Sequence, residues 1–498
     1  MTYLERASKS VNNSKILFSM DITQENIQWT NRGAGVWVVN KDGLYPWVDS
    51  TLLTGFTAQN IYEVGSVIVD SLQLAESSTI LDCSNTEGTF YWDGDYLYVH
   101  LIGGDPPSIH LMNIGIVFGY SDSGLTPVDS RINYPGRIIS LPSVSQARDT
   151  LYWGKLQYNG GNVQLNNGDG YFDLLGENYN IYGNQARVLV GFKDLSIADY
   201  ERIYTGFVES VSIDETGMSV SFIDKRKQLT KPIVYTCTAK NAVEAVQEIL
   251  LDNYSVPFNE IYYNTAQWTD AIGKALTVTI DMQTEESAIK VIEGICQSTF
   301  GVFLIDNLGR YSFKVIRPAD AATFEIPEYD ILNYPRASYN PSEVITSTRI
   351  GYARDWTISG SSGYTYLTDT SQESDIFAKY KTYNQKTFDT FLSDLTTAQA
   401  FSDVILAYAG TINPVLDIEV PLKYYNIEIG DFVEIQINRA TTMWFDLRKC
   451  EILSKTWNLD RNTITFKVKK YGSELGTRIT TDGDLRVTTD GYFRRTGQ

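Results

Sequence analysis

Short runs of alternating apolar and polar residues dominate the chain, and helical spacing is confined to a few stretches. That pattern predicts a mainly β protein with minor α. The clearest run spans residues 89–108. Tyr91, Tyr96, Tyr98 and His100 interleave there with Trp92, Leu97, Val99 and Leu101 around Asp93-Gly94. An Asp-Gly pair between alternating runs is a strong hairpin signal. Residues 1–145 read throughout as strands and turns. Residues 146–232 carry Asn159-Gly160, Asn167-Gly168 and Asp169-Gly170 between short runs, then alternating stretches at 186–192, 202–214 and 218–229. In the last, Met218, Val220 and Phe222 face one way, and Ser219, Ser221 and Ile223 the other. Such strands predict a small antiparallel barrel or sandwich.

Helical periodicity enters at 233–330. Asn241 with Glu244 opens a helix whose face carries Val243, Val246, Ile249 and Leu250. A second helix is expected from about Thr284, with Ala288, Ile289, Ile292, Ile295 and Cys296 inward. Glu285 and Glu286 suit the positive end of that helix rather than an acid–base pair, which needs opposed geometry. Residues 299–317 read as a hairpin with Asn307, Leu308 and Gly309 near its tip, which makes 233–330 a small α+β module. Residues 331–470 return to strands with one inserted helix. Thr396 with Gln399 caps it, Phe401, Val404, Ile405 and Tyr408 share a face, and Gly410 ends it. The polar stretch 359–375 is expected to be an exposed loop. Runs at 415–422, 431–437, 447–459 and 463–471 predict a second barrel, with the helix as its plug or lid. In the tail, 471–498, TTDGDLR (480–486) recurs as TTDGYFR (488–494). Two copies are too few for a solenoid, so the tail is free or docks on a partner.

At 498 residues the chain has room for roughly three or four domains. The net charge of −19 argues against a nucleic-acid coat and against binding anionic lipid. Cys83, Cys237, Cys296 and Cys450 are far apart and in no CxxC spacing, so buried free thiols in a reducing cytoplasm are expected. No apolar run approaches 18 residues, so no membrane insertion is expected. His100 and His110 are the only histidines, too few for multi-histidine metal chemistry. Asp93 and Asp95 read as turn residues, and NNGDGYFD (166–173) lacks the spacing and terminal Glu of a calcium loop. No P-loop, dinucleotide fingerprint, HExxH or GxSxG is present. The residues point to a structural or binding protein rather than an enzyme, with no cofactor and no metal.

The order of segments resembles the bacteriophage tail hub (baseplate hub) family, which is related to the shell of type VI secretion spikes. GGNVQLNNGDGYFD (160–173), RVLVG (187–191) and YTGFVESVSIDETGMSVSFIDKRKQL (204–229) resemble the first hub barrel with its Asp-Lys/Arg-Leu ending. ESAIKVIEGICQSTFGVFLIDNLGRYSF (286–313) resembles the hub helix and hairpin. AQAFSDVILAYAG (398–410) with LDIEVPLKYYNIEIGDFVEIQI (416–437) resembles the entry to the second barrel. The likeness covers about residues 146–470 and leaves 1–145 as an accessory domain. It implies a homotrimer whose two barrels per chain present six around an axis. Such a trimer adapts a sixfold tail tube or distal-tail ring to a threefold tip or central fibre. It also implies contact with the tape-measure protein, passage of viral DNA without specific binding, and a place at the tail tip of a virion assembled in the host cytoplasm. An acidic wall would keep DNA from sticking, although acidity also serves solubility alone.

The candidate site is then an interface. Tyr204, Phe207, Val208 and Met218 are its nominees on the first barrel, and Ile435, Ile437 and Phe466 on the second, against a plain core reading that apolar alternation favours. Asp482, Arg486, Asp490 and Arg494 are nominees on the tail repeat for charge pairs with a fibre. Three rivals remain. One is a tail-associated cell-wall hydrolase. The second is a receptor- or carbohydrate-binding module using Trp37, Trp47, Tyr91, Trp92, Tyr96 and Tyr98, with sheet packing as their ordinary role. The third is a hexameric distal-tail ring protein.

Overall fold

The computed structural model describes residues 14–24, 30–33, 36–40, 62–69, 72–93, 96–101, 112–122, 124, 135–149, 160–173, 181–260, 262–317, 320–333, 335, 337–338, 343–358, 360–437, 445–470, 478–479 and 485–486. The fold is mainly β with minor α. Among the described residues the largest sheet has fifteen strands, and it draws on residues from Ser14 to Lys470.

Two stretches of this sheet have the same plan. In chain order the first unit has strands Ile138–Ala147, Gly160–Asn166, Gln185–Phe192, Glu201–Ile213 and Gly217–Ile223. Laterally they run first, second, fifth, fourth, third, all antiparallel. The second unit has Ala337–Ser338, Val415–Pro421, Phe432–Ile437, Phe445–Asn458 and Thr463–Lys470, in the same lateral order and also antiparallel. Period-two patterning explains the inner faces. Met218, Val220 and Phe222 are buried in the first unit, and Ile464, Phe466 and Val468 in the second.

Each unit is extended from its third strand back towards its first. In the first unit Ser14–Gln24 pairs with Gln185–Phe192 and then with Met112–Ser121. Ser121 bridges to Gly136, and its N–H donates to the Pro135 carbonyl at 2.8 Å, just before the first strand. In the second, Phe324–Ile326 pairs in parallel with the third strand, and the chain continues through Glu328–Asp330 to the first strand. The expected boundary at 145/146 therefore falls inside a strand, and part of 1–145 belongs to the first unit's sheet. A separate sheet holds Thr30–Gly33, Val36–Asn40, Ala75–Glu76, Thr89–Trp92 and Tyr96–His100. Its hairpin pairs Trp92 with Leu97 and Thr89 with His100.

The α+β module has its own core around Val246, Ile249, Trp268, Ile292 and Phe313. Asn241 caps Ala242–Tyr254, its side chain accepting from the Val243 N–H at 3.0 Å. The later helix starts at Ala288 rather than near Thr284, because residues 286–287 pair as a strand with Pro232–Ile233. Helix Thr265–Lys274 carries no long apolar stripe and escaped periodicity. Three expectations for 331–470 are corrected. Residues 359–375 hold strand Thr365–Asp369 and the start of helix Glu373–Tyr380, not only a loop. The longer helix is Leu395–Ala409, capped by Asp394, whose carboxylate accepts from the Thr397 N–H at 2.9 Å; Gln399 instead donates to Asp369. That helix packs on Ser347–Tyr352 and on Phe300, with the Phe300 and Phe401 rings stacked at 4.4 Å, so it fills a shared core rather than lidding one barrel.

Candidate assembly interface

The two units meet edge to edge. The first strand of the first unit pairs with the fourth strand of the second: Val144 opposite Trp457, Ser145 opposite Thr456, Gln146 opposite Lys455, Ala147 opposite Ser454. The Arg148 N–H then donates to the Leu453 carbonyl at 3.0 Å. Leu453 is the extra residue of a bulge between Ile452 and Ser454, and bulges twist a strand and re-aim its pairing.

Buried charges fix this junction. Arg148 and Glu451 form an ion pair with both side chains almost wholly buried. Tyr408, from the helix, donates to Glu451 and accepts from Arg148, each at 3.0 Å. Burial and the neighbouring Glu451 carboxylate push the Tyr408 hydroxyl far above its usual range, so it stays a donor. Lys469 lies over the Tyr408 ring at 4.1 Å, and burial pulls its ammonium down to about 8. A second cluster ties the α+β module to the second unit. Lys314 reaches Asp431 at 2.6 Å and Glu428 at 2.8 Å. Lys455 donates to the Ile427 carbonyl at 2.8 Å and to the Tyr425 carbonyl. Two contacts reach the first unit's fourth strand: the Tyr425 hydroxyl donates to Glu201 at 2.6 Å, and Thr205 donates to the Asn307 carbonyl at 2.7 Å. The 301–315 hairpin tip comes this close because Gly309 has φ +84°, and a Cβ there would sit 2.7 Å from Thr205 Cγ2. The Asp-Lys-Arg ending of the first unit is likewise structural. Arg226 pairs with Asp224 and donates to the Phe303 carbonyl at 3.1 Å.

Tyr204, Val208, Met218, Ile435, Ile437 and Phe466 all lie in the main core, and Phe207 is half-buried. The six buried side chains belong to the core rather than to an exposed face. Arg486 stands opposite Arg478 in a short ladder; Asp482, Asp490 and Arg494 lie outside the described residues, as do Asp95, His110 and Trp47. Of the aromatic set of the accessory region, the described members lie largely within the sheet, with Trp37 and Tyr91 half-buried. Trp92 and Tyr98 are buried, Tyr91 stacks on Tyr98 at 6.2 Å, and Tyr96 is exposed. His100 Nδ1 meets the Cys83 carbonyl at 2.9 Å, and all four cysteines are buried and unbonded. Among the described residues no three His, Cys, Asp or Glu side chains group as metal ligands, and no helix is long and apolar enough to cross a membrane. The shared strand order and the edge-to-edge junction carried no signal in residue spacing.

No protein-family model and no curated protein matches the chain. It is similar in structure to phage tail proteins. The tail protein from Neisseria meningitidis MC58 is 11% identical at a TM-score of 0.42, covering 67% of this chain and 94% of that one. The 43 kDa tail protein of prophage MuSo2 from Shewanella oneidensis is 12% identical at a TM-score of 0.42, covering 68% and 96%. An E. coli component of the type VI secretion system is 12% identical at a TM-score of 0.35, covering 68% and 77%. Identities near a tenth and TM-scores below 0.5 leave function to be argued from this chain's own geometry.

Proposed function

We propose that the chain is a structural tail protein that assembles as a homotrimeric hub. The observation that carries this reading is the pair of units with one strand order, joined first strand to fourth. A protomer built this way supplies two equivalent positions of a ring. Three copies supply six, which matches a sixfold tail tube or distal-tail ring on one side while remaining threefold towards a tip or central fibre. The buried Arg148–Glu451–Tyr408 cluster supports a fixed angle between the two units, since a buried pair loses heavily when its partner moves. The net charge of −19 suits a wall past which DNA travels without binding. The proposed place is the tail tip, next to the tape-measure protein, and the proposed role is mechanical rather than catalytic. Native mass spectrometry over a concentration series tests it. A mass of three chains, with ring-shaped particles in electron micrographs, is expected. A stable six-chain ring would replace the hub by a distal-tail ring, and a single-chain mass at every concentration would overturn it.

A further inference from the structure

The two fourth strands differ in one respect. Aligning their bulges, which fall between Val208 and Ser210 in the first unit and between Ile452 and Ser454 in the second, equates Ser210 with Ser454, Val211 with Lys455, Ser212 with Thr456 and Ile213 with Trp457. The same alignment sets Met218, Val220 and Phe222 on Ile464, Phe466 and Val468, all buried, so inward positions match throughout. In the second unit, residues 454–457 pair on their outer side with Val144–Ala147. In the first unit, the third strand pairs only with residues 201–207, and Val208 exchanges bonds with Gly183 and Asn184 at 2.8 Å each. Beyond it, Ser210–Ile213 have no outer neighbour among the described residues. Ser210 and Ser212 are exposed, and Val211 and Ile213 are only half-buried, whereas Lys455 and Trp457 are 0% and 1% exposed.

The matching strand is also at hand. Ala337 pairs with Leu416 and Ser338 with Val415, as Val144 pairs with Gly161 and Ser145 with Gly160. Leu416 and Gly161 stand opposite the equivalent residues Val468 and Phe222, so the registers coincide. Ala337–Ser338 is therefore the second unit's counterpart of Val144–Ser145, and on its outer side it too has no strand neighbour among the described residues.

We propose that the edge Ser210–Ile213 of one copy, unpaired among the described residues, receives the Ala337–Ser338 strand of the next, antiparallel, with Ala337 opposite Ile213 and Ser338 opposite Ser212. The occupant is a second copy of this chain because the chain already makes this contact with itself once, at the equivalent place. The contact joins different surfaces on the two copies, and head-to-tail contacts of that kind make a ring when the rotation between copies closes. It also covers an edge that would otherwise invite aggregation. The proposal takes from the hub reading only the number of copies.

Cysteine pairing tests the register, since directly opposite residues lie within reach of a disulfide or a short thiol linker. The full chain carrying both Ser212→Cys and Ser338→Cys should give, on mild oxidation, a covalent ladder ending at three chains. An equimolar mixture of the two single variants should stop at covalent dimers, and neither single variant alone should cross-link. Ser210→Cys with Ser338→Cys, displaced by two residues, should give roughly tenfold less product because diagonal neighbours stand farther apart. A single variant that cross-links to itself means a symmetric contact and overturns the proposal. A three-chain mass with no product from the double variant overturns this register and leaves the hub standing. A single-chain mass without product overturns both.

Discussion

The first and second units have the same strand order and the same bulge, yet they are buried to different depths at one edge. In the second, Lys455 and Trp457 are sealed under the Val144–Ala147 strand. In the first, Val211 and Ile213 face the same way and stay half-buried. Among the described residues, one unit's edge has a strand neighbour within the chain and the other's does not. A lysine at the sealed position is held by main-chain carbonyls from the 425–427 turn; at the open position a valine needs no such partners. An edge residue's chemistry therefore follows from what covers it as well as from the strand it belongs to.

Breaking the sealed side should cost most. Glu451→Ala leaves Arg148 buried without its carboxylate and should remove about 3–5 kcal/mol from the urea unfolding free energy. Trp457→Ala should cost a similar amount, about 3–5 kcal/mol, through the cavity it opens. A loss below 1 kcal/mol in both would mean that the two units are not locked together. Gly309→Ala is next. A Cβ at φ +84° beside Thr205 should cost about 1–3 kcal/mol by the same assay and loosen the hairpin tip from the first unit. On the open side, Ile213→Ala should cost about 1–2 kcal/mol in the dispersed chain, roughly half of a fully buried isoleucine, and should weaken assembly as well. Equal losses at Trp457 and Ile213 in the dispersed chain would erase the contrast between the edges.

The smallest effect concerns pH. Burial holds the Lys455 ammonium at about 7, below its ordinary 10.5. Between those values the unfolded chain binds more protons than the folded one, so stability rises with pH across that window. The stability of the wild type relative to Lys455→Met should rise by about 1 kcal/mol between pH 7 and 8, read as a shift in the difference of their thermal midpoints, and that difference should stay flat below pH 6. The open unit's valine at the equivalent position has no such dependence.

Much of this was legible in the sequence where the pattern is local. The alternation at 218–223 gave the fifth strand of the first unit with its correct inner face, and Asn241 marked a helix cap. Helix Thr265–Lys274 was missed because Trp268 and Ala271 are its only wholly buried residues, too few for a stripe. Strand Thr365–Asp369 was missed because its face is held by polar and aromatic contacts, such as Arg349 over the Tyr366 ring at 3.8 Å, rather than by apolar alternation. The barrel nominees are apolar because alternation finds cores, and Tyr204, Met218 and Phe466 are core. The edge that matters reads as Ser-Val-Ser-Ile, an unremarked piece of strand. That it lacks an outer neighbour among the described residues stands out only beside its occupied counterpart, 244 positions later from Ser210 to Ser454.

Amide hydrogen exchange tests that edge most directly, because protection reports whether a backbone N–H has a partner. It should be measured at a concentration giving the three-chain mass and again after dilution to single chains. The account predicts that Ser454–Trp457 stay protected in both states, while Ser210–Ile213 are protected in the assembly and exchange faster once it dissociates. Unchanged exchange at Ser210–Ile213 across that transition would contradict it.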